Sequence, residues 1–201
     1  DKEIKNNTSK ENYIKIINDE NKRLGVQVEK VLSIAKTEKD NYKIKFKKLN
    51  IHSIIEDSVD INKFKIKKRE GVINQNLNAE KHFIYGNYDH LLNVFNNLLD
   101  NANKYSLENP IINISSKNSN DSIEIVISDE GIGIRKSNIE KVFDKFYREP
   151  QGNIHNVKGF GLGLSYVKNI LMKHKASIKL KSKVTQGTKF FINFKLYNGE
   201  K

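Results

Sequence analysis

Apolar residues first recur at alternating spacings of three and four: Ile14, Ile17, Leu24, Val28, Val31 and Ala35, with Asn21 in the missing place. This is a heptad seam with one polar position, and it predicts one long helix over residues 10–38. Such a seam needs a partner helix. No other stretch of the sequence matches its length, so the expected partner is a second chain or an upstream segment; packing on the chain's own globular part is the other reading.

Lys39-Asp40-Asn41 breaks the period. Alternation of Ile44, Phe46 and Leu49 predicts a strand over residues 43–51. Ile54, Ile55, Val59 and Phe64 predict an amphipathic helix over 52–69, ended by Gly71. A strand over 72–77 and a helix over 88–105 follow. Residues 111–116 and 122–128 predict a hairpin around the turn-rich run Lys117–Asp121. A short helix over 136–146 precedes a polar, aperiodic stretch, 147–161, expected to be a mobile loop. A helix over 162–174 and strands over 177–182 and 188–196 complete the chain. Strands in adjacent antiparallel pairs, with helices between, predict an α+β fold with helices on one face of a sheet.

Composition narrows the picture. The 201 residues hold one large domain, or a small domain with an appendage, at 37% hydrophobic and 30% charged. No apolar run approaches the length of a membrane span, and no signal peptide begins the sequence. Cysteine is absent and the five histidines lack paired ligand spacing, so disulfides and a zinc site are not expected. The net charge of +12 is spread along the chain without a dense basic tract or a nucleic-acid motif, so nucleic acid is not the expected partner. Asp1 opens the sequence and Met172 is its only methionine, which reads as an internal piece of a longer protein.

Three boxes carry chemistry. On the 88–105 helix, Asn93, Asn97, Asp100, Asn101 and Lys104 fall within an arc of about 100°, opposite Leu92, Phe95, Leu99 and Ala102. Asparagine oxygens are hard ligands suited to Mg²⁺, and Lys104 can meet a phosphate. Asn is a poor helix former, so the four at 93, 96, 97 and 101 cost propensity that a plain solvated face would not require. Asp129-Glu-Gly131-Ile-Gly133 ends an apolar strand. Its carboxylate can accept from an exocyclic amine such as adenine's, although the box alone also fits a simple strand-end turn. Gly159-Phe-Gly161-Leu-Gly163-Leu opens a helix whose N-terminus can hold phosphate. It is neither a Rossmann fingerprint, lacking the preceding strand, nor a Walker loop. Together the boxes supply what Mg-ATP binding needs.

The order of these boxes resembles the catalytic ATP-binding domain of sensor histidine kinases, in the GHKL (Bergerat) superfamily with gyrase, chaperone and mismatch-repair ATPases. Asn97–Ser106 is similar to the family's Asn box, Asp129–Gly133 to its first glycine box, Val142–Arg148 to its Phe box, Gly159–Leu164 to its second glycine box, and Gly187-Thr188-Lys189-Phe190 to its terminal motif. The resemblance implies a two-layer α/β sandwich with a mixed, mostly antiparallel sheet, preceded by a long coiled-coil-type helix. It implies that residues 1–40 are the second part of a dimerisation hairpin and 41–201 the catalytic domain.

It also implies site roles. Asn97, Lys104 and Arg148 would position phosphate, Asn97 and Asn101 would hold Mg²⁺, and Asp129 would read adenine with support from Thr188. Tyr105, Gly131, Gly133, Ile134, Gly159, Phe160, Gly161, Leu162, Gly163 and Leu164 would line the nucleotide, under a lid of residues 149–161. The implied partners are a second copy, through the N-terminal helix, and a response-regulator receiver domain. The implied place is the cytoplasmic portion of a membrane-anchored sensor.

Three departures stand out, and Asn97 bears on the reaction. Phe160 takes the place of a frequent hydroxyl residue. Lys175-Ala176 replaces a Gly-Gly after the last helix, removing a glycine cap worth about 1 kcal/mol. The phosphoacceptor pattern, with Pro five residues after His, is absent: five residues before Pro110 and Pro150 stand Tyr105 and Lys145. Asn97 occupies the place where ATPase relatives carry a general-base Glu, and a neutral amide favours phosphoryl transfer over hydrolysis. A nucleotide sensor without turnover and a dimeric scaffold remain the alternatives.

Overall fold

The computed structural model describes residues 13–18, 20–22, 24–25, 28, 31–32, 44–148 and 160–199. The chain divides into two compact units, Asp1–Tyr42 and Lys43–Lys201. In the first, every described residue is helical, and Ile14, Ile17, Leu24, Val28 and Val31 of the seam are exposed, as are Tyr13, Ile16 and Leu32. Ala35 and the continuity of a helix across 10–38 lie outside the described residues. Among those residues no helix is long and apolar enough to cross a membrane.

The second unit runs β1 (Lys47–Asn50), α1 (Ile51–Lys67), β2 (Val72–Leu77), β3 (Phe83–Gly86), α2 (Tyr88–Tyr105), β4 (Ile111–Ser119), β5 (Ser122–Asp129), α3 (Gly163–Lys173), β6 (Ser177–Ser182) and β7 (Thr188–Lys195). Five strands form one sheet in the order β2-β4-β5-β7-β6, with β2 parallel to β4 and the other pairs antiparallel. β1 and β3 form a separate antiparallel ribbon. The period-2 pattern buries Ile112 and Ile114 of β4, Ile123, Ile125 and Ile127 of β5, and Phe190, Ile192 and Phe194 of β7. Val126 and Phe191, on the other face, are half-buried. The helices close the first face with Ile54, Ile55 and Val59 of α1, Leu91, Val94, Phe95, Leu98 and Leu99 of α2, and Val167, Ile170 and Leu171 of α3.

Several local expectations are revised. The strand expected over 43–51 shortens to Lys47–Asn50, and β3, unforeseen, is its partner. Phe64 is 78% exposed, because the buried stripe of α1 continues instead through Ser58, Asn62 and Ile66. Leu92 is half-buried, flanked by the core positions Leu91, Val94 and Leu98. The helix expected over 136–146 is two 3₁₀ turns, Lys136–Asn138 and Lys141–Phe143.

Polar groups join the helices. The Asn96 amide oxygen accepts from Ser58 Oγ at 2.9 Å and from Asn62 Nδ2 at 2.8 Å. Asn96 is therefore a structural member of the asparagine run. Arg69 donates to the carbonyls of Asn103, Ser106 (2.9 Å) and Leu107 (3.0 Å), supplying partners for carbonyls at the C-terminal end of α2. Phe46 stacks on the buried His174 ring at 4.6 Å. His174 Nδ1 donates to the Ile170 carbonyl (2.7 Å) and Nε2 accepts from the Asn87 N–H (3.0 Å), which fixes a neutral tautomer. Burial pushes its pKa down to about 4.

Two helices end in Schellman motifs with a non-glycine residue in the left-handed position. After α1, Glu70 (φ 55°) donates to Lys67 O and Gly71 to Ile66 O; after α3, Lys175 (φ 54°) donates to Met172 O and Ala176 to Leu171 O. Gly71, expected to end α1, is instead the residue after the left-handed one. It has to be glycine because a Cβ there would lie 2.6 Å from the Pro110 carbonyl oxygen. Relief of left-handed strain outweighs the added freedom of the unfolded chain, so Lys175→Gly is expected to stabilise the protein by about 0.5–1 kcal/mol. A urea melt checks this, with Glu70→Gly as the parallel case.

Candidate functional site

The polar face of α2 is set by its core face. With Leu91, Val94, Phe95, Leu98 and Leu99 buried, Asn93, Asn97, Asp100, Asn101 and Lys104 project from the opposite side. Asn97 Nδ2 donates to the Asn93 carbonyl at 2.7 Å, so its Oδ1 remains for another partner. That oxygen lies 3.0 Å from where a Cβ on Gly163 would sit, and the missing side chain admits the approach. Lys104 is paired with Asp100 at 2.5 Å, one turn back on the same helix. Among the described residues no three acidic or histidine side chains cluster as a metal site. A cation on this strip would take an amide oxygen or two and complete its shell with phosphate and water, which suits Mg²⁺.

The alternation of β5 carries Ile123, Ile125 and Ile127 inward, and the same register places Asp129 on the core side, 8% exposed. Its Oδ1 accepts from the Gly131 N–H at 2.9 Å. Thr188 is its direct partner across the ladder and is 7% exposed. Gly187 (φ 82°) passes so close to the Asp129 carbonyl that a Cβ would overlap it. The following loop is stitched on both sides: the Ile132 N–H donates to the Tyr105 carbonyl at 3.0 Å, and the Ile134 N–H donates to Ser182 Oγ at 2.8 Å. Gly133 takes the left-handed φ of 70° against Lys183.

α3 begins at Gly163 after Leu162, without a side-chain cap, so its first-turn N–H groups are available to an anion. Leu162 is buried and Leu164 half-buried, while Phe160 is 52% exposed. The Gly161 carbonyl accepts from the Phe146 N–H at 3.0 Å, which ties the start of α3 to the segment ending at the exposed Arg148. Gly159 and most of the expected lid lie outside the described residues. The structure thus brings Asn97 to Gly163, Tyr105 to the Gly131–Ile134 loop, and Asp129 to Thr188. It gives Lys104 an acidic neighbour, Asp100, on its own helix.

Residues 86–198 match the family described as histidine kinase-, DNA gyrase B-, and HSP90-like ATPase. The chain belongs to this ATPase family. Sensor protein RprX of Bacteroides fragilis is 42% identical over 92% of this chain and 36% of its own length. Drug sensory protein A of Synechocystis is 31% identical over 92% of this chain and 29% of its own. The chain therefore spans about a third of the length of these relatives. The catalytic domain of histidine kinase ThkA superposes with a TM-score of 0.67 at 23% identity, covering 76% of this chain and 99% of that one. Histidine kinase ThkA solved with response regulator protein TrrA gives 0.72 at 21% identity, covering 94% of this chain and 52% of that one. Full-length ShkA solved with AMPPNP gives 0.79 at 16% identity, covering 92% and 39%. The two-layer α+β architecture is that of histidine kinase catalytic domains.

In this ATPase-family fold the buried Asp129 carboxylate and the His174 imidazole are the two strongly shifted groups among the described residues. Burial raises the Asp129 pKa to about 6, against the opposing pull of the Gly131 and Thr188 N–H groups. The residue that sequence reading missed is Ser182, whose Oγ bonds Ile134, Gly187 and Thr188. Its one trace in the sequence is a hydroxyl facing Thr188 across the β6–β7 turn. Because the folded pKa of Asp129 exceeds the unfolded one, the fold takes up a proton between about pH 4 and 6 and loses stability as pH rises through that window. The shift corresponds to about 3 kcal/mol above pH 6. Asp129→Asn is expected to raise the urea midpoint of the ligand-free protein at pH 8, by an advantage that shrinks toward pH 4. Chemical denaturation at both pH values checks this.

Proposed function

We propose that this chain is the ATP-binding catalytic region of a sensor histidine kinase, and that it transfers the γ-phosphate to a histidine outside the motifs of this sequence. Two contacts along α2 support the reading: the Asn97 amide oxygen stands beside Gly163 at the uncapped start of α3, and the Tyr105 carbonyl at the helix end holds the Ile132 N–H of the loop that follows the buried Asp129. Asp129 accepts from the adenine amine. The first-turn N–H groups of α3 and Lys104 meet the phosphates, with Arg148 at the rim. Asn97 and Asn101 hold Mg²⁺, which neutralises charge developing on the transferred group. Lys104 exchanges Asp100 for phosphate as nucleotide enters.

Asn97 is a neutral amide whose N–H already serves Asn93, so it has no basicity to activate water. An imidazole nucleophile from a separate helical hairpin completes the reaction, and the phosphoryl group then passes to an aspartate of a response regulator. The ThkA neighbour solved with TrrA supports a partner of that kind. Residues 1–40 are the second part of the dimerisation hairpin, 41–201 the catalytic domain, and the exposed heptad residues the surface that a second copy covers. The chain works at the cytoplasmic side of its parent sensor.

Mg-dependent ATP binding is expected by calorimetry, with affinity lost in Asp129→Asn; unchanged affinity in that variant would remove the site assignment. Incubated alone with radioactive ATP, the chain is expected to gain no acid-labile, base-stable label. Mixed with a chain bearing the acceptor hairpin, it is expected to label that partner. Binding without any transfer would make it a passive nucleotide module.

A further inference from the structure

Ser182 ends β6, and its single hydroxyl has three partners. It donates to the Gly187 carbonyl at 2.8 Å, accepts from the Ile134 N–H at 2.8 Å and lies 3.0 Å from Thr188 Oγ1. A serine hydroxyl has one proton and two lone pairs. With the proton committed to Gly187, the bond to Thr188 has to run the other way, and Thr188 donates. The orientation of the Thr188 hydroxyl is therefore fixed by its neighbour: its proton points at Ser182 and its lone pairs point elsewhere.

Thr188 is the direct ladder partner of Asp129, so both side chains stand on the same face of the sheet. Both are buried. A carboxylate and a hydroxyl with a committed proton present acceptors only. We propose that Ser182 is a positioning residue that sets base specificity: by holding the Thr188 proton, it makes the pocket accept an amine at the 6-position of a purine and reject a carbonyl there. This rests on the nucleotide reading above. An amine finds partners for its hydrogens, whereas a carbonyl would be buried against acceptors with no donor.

Adenosine and inosine diphosphates differ at this 6-position and in the N1 proton that accompanies the carbonyl, and their competition for the site on the whole chain reads the preference as its change between variants. Ser182→Ala is expected to release the Thr188 hydroxyl to rotate and donate, narrowing the preference for ADP about tenfold. Ser182→Thr, which keeps the hydroxyl, is expected to restore it. Thr188→Val removes the oriented group itself and is expected to narrow the preference too, which serves if Ser182→Ala does not fold. A loss of general packing would weaken both nucleotides alike. An unchanged ADP-to-IDP ratio in either folded variant overturns the proposal. Asp129→Asn separates the two levels: ADP binding that survives it removes the assignment of Asp129 to the base, whereas its loss alongside an unchanged ratio in Ser182→Ala removes only the role of Ser182.

Discussion

Burying the Asp129 carboxylate in the apolar face of β5 is the constraint around which the second unit is arranged. A charge in that position destabilises the ligand-free fold, and two backbone N–H groups only partly offset the desolvation. What surrounds it has to approach closely without adding bulk. Gly187 leaves space beside the Asp129 carbonyl, Thr188 takes the opposite ladder position, and Gly131 turns the chain toward the end of α2. The apolar residues behind it, Ile123, Ile125 and Ile127, hold the register, and a slip by one residue would carry the carboxylate to the other face. Stability is given up at this point in return for a polar group in a buried position.

α2 connects the surroundings of Asp129 to the uncapped start of α3. Its apolar face is part of the core, its polar face meets the start of α3 through Asn97, and its last carbonyls are held by Arg69 and by the loop after Asp129. Bonding at both ends leaves the helix little freedom to slide. The distance between Asp129 and the start of α3 is thereby a property of the packed core, not of a loop.

Strands and helices with a strong period were legible in the sequence: β2, α2, the β4–β5 hairpin, α3, β6 and β7 fall close to where alternation and helical spacing put them. So were the glycine boxes, because residue type and order carry that signal. Less legible was whatever depends on a partner far along the chain. Phe64 fits the apolar period of α1 as well as Ile66 does, and only the packed neighbours decide that Ile66 goes inward. β3 is four residues long and exists through β1, so no local pattern announces it. Asn96 looked like its neighbours until Ser58 and Asn62 met it. Ser182 was hidden in part for the same reason: Gly187 and Thr188 lie across one short turn, but Ile134 is 48 residues away.

The stack of Phe46 on His174 reaches beyond local packing. Lys45 and Phe46 precede the first strand, yet Asn87 at the head of α2 donates to the Lys45 carbonyl, and His174 at the foot of α3 lies against the Phe46 ring. The working boundary of the second unit therefore falls ahead of its first regular element. Any grafting of this unit onto a different input module should carry the residues from 44 onward. A junction placed at β1 would expose one face of a histidine that stays uncharged down to about pH 4, and would remove the Lys45 carbonyl to which Asn87 donates at the head of α2.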